Sequence, residues 1–258
     1  MAGIIYKTMG TGDEPDAETL ESLKAMIPAI QTKWINQPVI KLEERTVSRL
    51  GFTTIPSSVQ QNVPAWALFG IFFIVVPMAG SLIGERKQGM LLRIYAAPIS
   101  IGLVILGKAA AFLMVCGTQF TLIFFIGKFV LPLMGTPEFE IGPHIFSAAA
   151  VAVCAAFAAV SYGILLGAAS KTFEQASMFG PISIVAAAAL GGVMVPVYAM
   201  PSFMQKISAF SPLAWALNSF LDIFVKGGDI LTVWPSLSLL TAFSLACLTA
   251  AWILLSRK

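Results

Sequence analysis

The sequence predicts an all-α polytopic membrane protein: five transmembrane helices preceded by a small α/β segment at the N-terminus. Two observations carry this. Of 258 residues, 57% are hydrophobic and only 11% charged, with a mean hydropathy of +0.85, whereas a soluble domain is roughly half apolar and a quarter charged. The apolar residues also gather into five long runs rather than spreading along the chain.

Residues 1–62 stand apart, holding six of the sixteen basic and seven of the thirteen acidic residues. Leu20, Leu23, Ile27, Ile30 and Trp34 recur at helical spacing after Asp13-Glu14-Pro15-Asp16, which predicts an amphipathic helix interrupted near Pro28. Residues 38–47 read as a short strand. So short a segment cannot bury a core of its own, so it belongs to a larger soluble domain or rests on a membrane surface.

Residues 63–258 form the membrane part. The predicted spans are Val63–Gly84, Ile99–Gly127, Ile145–Ser170, Met178–Ala199 and Leu231–Leu255, each long enough for a hydrocarbon core of about 30 Å at about 1.5 Å per residue. Arg86, Lys87, Arg93, Lys171, Arg257 and Lys258 fall on one side, and Lys128, Lys206 and Lys226 on the other. The bias of Lys and Arg toward the cytoplasm then places residues 1–62 outside and the C-terminus inside. Residues 1–12 lack the apolar core and cleavage site of a signal peptide. An outside N-terminus with nothing to carry it there leads us to expect an upstream transmembrane helix missing from this sequence. Unaided translocation of a short tail is the alternative.

Several chemistries are disfavoured. The basic residues form no long run of the nucleic-acid-binding kind. Cys116, Cys154 and Cys247 each sit in an apolar stretch without CxxC spacing, so neither a disulfide framework nor a zinc site is indicated. No Asp, Glu or His lies at mid-span, which weakens an ion-coupled carrier and an intramembrane hydrolase alike. His144, beside Pro143, reads as a loop or interfacial residue. Gly102 to Lys108 has the Gly-x4-Gly-Lys spacing of a P-loop, but Ala109 stands where Ser or Thr would bind magnesium and the intervening residues are bulky and apolar. Lys108 is expected to snorkel toward headgroups. No cofactor is expected on this chain.

The most informative stretch is Gly84 to Pro98, directly after the first span. Charged residues alternate there with Leu91, Ile94, Tyr95 and Pro98. It reads either as an ordinary basic loop or as a short amphipathic helix that docks a cytosolic partner through one face, its Arg and Glu pairing with the partner's charges. Gly80-x3-Gly84 and Gly163-x3-Gly167 would let helices approach closely, within the chain or across a dimer. Pro77 and Pro196, both within predicted spans, are expected kinks. Asn218, Asp222 and Lys226 mark an amphipathic helix at the interface or re-entering it, with Trp215 as a belt residue.

Glu85-Arg86-Lys87-Gln88-Gly89, then Leu92, Pro98 and Gly107-Lys108, resembles the Glu-Arg-Glu-x-Gly-Thr, Leu, Pro, Gly-Lys series of ABC-2-type permeases, departing from it at Lys87 and Met90. Gly191-Gly192-Val193-Met194-Val195-Pro196, Met200-Pro201 and Ser211-Pro212-Leu213 resemble that family's second series, before its last span. The two cover Val63 to Lys258. The resemblance implies the permease subunit of a bacterial inner-membrane ABC exporter for a lipophilic or amphiphilic substrate such as a drug, lipid or glycan. It also implies a second permease, identical or related, and a cytosolic ATP-binding subunit that holds ATP and magnesium. Glu85, Arg86, Lys87, Gly89, Leu92, Arg93 and Pro98 would contact that subunit. Gly191, Gly192, Pro196, Pro201, Pro212 and Asn218 would form the external rim or gate. Residues 1–62 would end an extracytoplasmic domain, and the chain would hold five of six expected helices. The alternative is a non-transporting membrane partner or a truncated remnant of such a permease.

Overall fold

The structure is a computed structural model that describes residues 57–89 and 101–256. The proposed amphipathic helix and strand within residues 1–56 lie outside the described residues, as do Leu92, Arg93 and Pro98. Among the described residues every regular element is helical.

The first apolar run is longer than its hydropathy suggested, reaching from Ser58 to Lys87 over 30 residues. It begins early because Ser57 is an effective N-cap: its Oγ accepts from the Gln60 amide at 3.2 Å while its own amide donates to Gln60 Oε1 at 3.3 Å. The run divides into α1 (Ser58–Phe72) and α2 (Val75–Lys87). The break has the cause expected of Pro77. With no N–H on Pro77, the Phe73 carbonyl loses its usual partner and takes the Val76 amide instead, at 3.2 Å, in a tighter turn.

Helix α3 (Ile101–Phe125) continues through a π-helical turn at Ile126–Val130 and a last turn at Leu131–Leu133. Gly127 permits this end to lie on α1, since a Cβ there would sit 2.9 Å from Val63 Cγ1. Residues 136–144 then lead to α4 (Ile145–Ala169). Phe139, from this connection, stacks with Phe124 at 5.4 Å between ring centroids and meets Phe224 edge-on at 5.2 Å.

Helix α4 is the centre of the bundle. It packs most extensively on α8 (Ile230–Ser256) and α2, and also touches α1, α3, α5 (Phe173–Leu190) and α7 (Pro212–Phe224). Alanine and glycine make this possible. A Cβ on Gly163 would lie 2.9 Å from Met78 Cβ, and one on Gly167 would lie 3.0 Å from Ala79 Cα. The small-residue pair therefore serves contact inside this chain. Gly80 differs, lying beneath the Phe173 ring, while nothing crowds Gly84. Burial follows this arrangement: 56% of the most apolar stretch is buried in both the α1–α2 span and α4, against 17% in the α3 span. The poorly buried faces of α3, α5 and α8 are apolar, as lipid-facing surfaces are.

Among the described residues five helices are therefore long and apolar enough to span a membrane, with shifted ends. The fourth starts at Phe173, because Thr172 Oγ1 caps it through the Gln175 amide at 3.3 Å. It stops at Leu190, so Pro196 lies beyond the span and kinks nothing. After it come a 3-10 turn at Val197–Ala199, α6 (Ser202–Ser208) and α7, the last two bent by 93° in the manner of a broken or re-entrant span. Cys116, Cys154 and Cys247 are free thiols.

Candidate functional site

The residues singled out by sequence occupy two places. The first is the end of α2. Glu85, Arg86 and Lys87 form its last turn, and Gly89 follows at φ +67°, the left-handed geometry that stops a helix. Glu85 faces inward. Its Oε1 lies 2.5 Å from Lys108 Nζ, which also donates to Ser81 Oγ at 2.8 Å. Lys108 is only 11% exposed, so it does not snorkel to headgroups as expected; a carboxylate one helix away holds it. Glu85 is correspondingly engaged within the chain.

Arg86 reaches sideways, Nη1 donating to the Ala168 carbonyl at 3.4 Å near the end of α4. Its Nη2 is buried and without a partner among the described residues. Lys87, the next residue, is exposed. Within three consecutive residues, α2 is therefore tied to α3, tied to α4 and left with one cation facing outward. Gly102 to Lys108, the P-loop-like spacing, is helical rather than a phosphate-cradling loop.

The second place is the corner between α5 and α7. Gly192 takes φ +88° and Val193 donates back to the Ala188 carbonyl at 3.2 Å, a Schellman stop for α5. Gly191 admits the start of α7, since a Cβ there would lie 3.0 Å from Leu213 Cβ. Pro201 precedes α6, and Pro212 is the first residue of α7, where a missing N–H costs nothing. Ser211, which sequence reasoning gave no role beyond its motif, ties the two elements through Oγ to the Ala187 carbonyl at 3.0 Å. Asp222 of α7 pairs at 2.7 Å with Lys226, just beyond the helix end, and Trp215 Nε1 donates to the Ala209 carbonyl at 2.7 Å.

Between this corner and α1 lies a cleft of about 70 Å³ lined by Gln61, Gly192, Pro196, Tyr198, Leu217 and Asn218, among others. Gln61 was not anticipated. It is buried, and its Nε2 donates to the Gly192 carbonyl at 3.4 Å across the cleft wall, while its Oε1 has no donor among the described residues. The signal was present in Ser57-x-x-Gln60, which extends the helix back to include it. Asn218 is exposed on α7 and lines the same cleft. Among the described residues no three His, Cys, Asp or Glu side chains gather to hold a metal.

Comparison with known proteins agrees with this architecture. Residues 37–225 match the family described as ABC-2 type transporter. The linearmycin resistance permease protein LnrN of Bacillus subtilis is 25% identical over 182 residues, covering 68% of this chain and 45% of that protein. The probable multidrug ABC transporter permease YbhR of Escherichia coli is 25% identical over 187 residues, 72% of this chain and 49% of that one. The inner membrane transport permease YadH of Escherichia coli is 25% identical over 182 residues, 70% and 67% of the two chains. The chain spans about half the length of the first two. With a family match over more than half of its residues and, among the described residues, five helices long and apolar enough to cross a membrane, this chain belongs to the ABC-2 type transporter family.

Proposed function

We propose that the chain is the permease subunit of an ATP-driven exporter, moving a lipophilic or amphiphilic compound outward across the bacterial inner membrane. ATP and magnesium are bound by a separate cytosolic subunit, and a second permease, identical or related, completes the path. The N-terminus faces outside, the residues before Ser58 belonging to an extracytoplasmic segment, and the C-terminus faces the cytoplasm. The names of LnrN and YbhR, a resistance permease and a multidrug permease, support the direction and the class of substrate.

The observation that carries this reading is the tethered end of α2. A partner pressing on residues 85–98 would push on a turn that Glu85 joins to α3 and Arg86 joins to α4, so its movement reaches three helices as a rigid body. Lys87, exposed and next but one to Gly89, is the residue of this turn most available to a partner's carboxylate.

The test is ATP-driven uptake of a fluorescent amphiphile into inverted membrane vesicles holding the chain and its ATP-binding subunit. Gly89→Pro and Glu85→Ala are expected to reduce uptake while leaving insertion intact. Lys108→Met, which removes the internal pair from the other side, separates loosening of the turn from loss of a partner contact. Unchanged uptake in both Gly89→Pro and Glu85→Ala overturns the assignment.

A further inference from the structure

We infer that the cleft between α1 and the α5–α7 corner is a binding site for a neutral hydrogen-bond donor, of the hydroxyl class, carried on an amphiphile. Observations on Gln61 and on the cleft beside it converge. Gln61 Oε1 is a buried acceptor with no donor among the described residues, which makes it the polar group of this cleft best able to accept from a ligand's O–H. The amide cannot cure this by turning over, because the Gly192 carbonyl fixes which end faces it: exchanging Nε2 for Oε1 would set two acceptors against each other. The bond to Gly192 is long, 3.4 Å, leaving the side chain room to shift toward a ligand.

Gln61 lines the adjoining cavity. At about 70 Å³ it exceeds the space one water needs and fits a hydroxymethyl-sized group. The chemistry of its walls excludes ions, since no charged side chain lines it, while Val197 and Leu217 offer apolar contact to a hydrocarbon neighbour of the hydroxyl. The Asn218 amide lies on the same lining and supplies both a donor and an acceptor to a second hydroxyl. A vicinal diol on a short alkyl chain matches this set of groups.

The site deepens the reading of this corner as the external rim of a transport path, and rests on that reading for the ligand's being cargo. Binding itself is read on the chain alone. The full chain in lipid nanodiscs is titrated with 1,2-hexanediol or with 1,2-dimethoxyhexane, which has similar apolar bulk and no donors. Hydrogen–deuterium exchange of residues 192–201 is followed. The diol is expected to slow exchange at a concentration about tenfold below that needed by the diether. Gln61→Met should bring the two probes together, and Leu217→Trp, which fills the cleft but keeps Gln61, should abolish protection by both.

Equal protection by diol and diether in the unaltered chain overturns the inference, as does a diol preference that survives in Gln61→Met. Absence of protection by either probe also overturns it and leaves the cleft to water. Because the decisive comparison is made on the unaltered chain, it stands even where a variant misfolds. Loss of transport with diol binding intact would refute the exporter reading and leave the site.

Discussion

Lys108 Nζ sits 2.5 Å from Glu85 Oε1, joining the last turn of one span to the second turn of the next. The side chains are 11% and 22% exposed, so most of their hydration is lost and each depends on the other. Lys108→Met should destabilise the chain by about 2 kcal/mol by stranding the carboxylate, and Glu85→Gln should cost a similar amount. The double variant should lose less than the sum, with a coupling of about 1–2 kcal/mol. Unfolding in mixed micelles at graded denaturant measures all three; strict additivity would show that the pair does no structural work.

The contact between α2 and α4 rests on glycine in a way that can be separated from glycine's backbone effect. Gly167→Ala would place a Cβ 3.0 Å from Ala79 Cα, and backbone cannot swing aside as a side-chain tip can. A loss of about 1–3 kcal/mol is expected. Gly84→Ala meets nothing within 4 Å and lies inside α2, so it should gain about 0.5–1 kcal/mol from helix propensity alone. Opposite signs in the same unfolding assay confirm the assignment of crowding to Gly167.

These contrasts bear on what a sequence of this kind discloses. The five candidate spans among the described residues were legible because the bilayer demands long apolar runs. The break at Phe73 was legible through Pro77, whose missing N–H acts at a fixed distance along the helix. Span ends were less so, since hydropathy ignores caps: Ser57 and Thr172 each start a helix among polar residues, and Gly192 stops one while the sequence is still apolar. The partners of Lys108 and Gln61 were not legible at all. Each depends on how two distant helices are turned toward each other, which local spacing does not encode.

Asp229 gives the start of α8 a dependence on pH. Its carboxylate is held below the ordinary value by hydrogen bonds, first from the Thr232 amide, then from the Thr232 hydroxyl, with the Leu231 amide also contributing. A lowered value means that the folded state favours the charged form. The stabilisation is therefore present above the ordinary aspartate value and is lost as pH falls through the lowered one. Asp229→Asn keeps a capping side chain but cannot titrate, so acid should lower the protection of amides at the start of α8, measured relative to their intrinsic exchange, in the unaltered chain and not in the variant. Protection that does not change with pH in either chain would contradict the capping role.

Gly89 and Gly192 both end helices with positive φ, at +67° and +88°, yet substitution should affect them differently. A Cβ added at Gly89 would meet nothing within 4 Å, so Gly89→Ala costs only the left-handed backbone, about 1–2 kcal/mol. At Gly192 the same change adds a contact of 2.8 Å with Val197 Cγ2 in a turn already pinned by Val193 and Gln61. The larger loss is expected there, and it should be partly recovered in Gly192→Ala combined with Val197→Ala, which removes the opposing methyl. No recovery would mean that backbone strain at Gly192, rather than the Val197 side chain, sets the cost, and the Schellman stop would then be the sole reason this position is glycine.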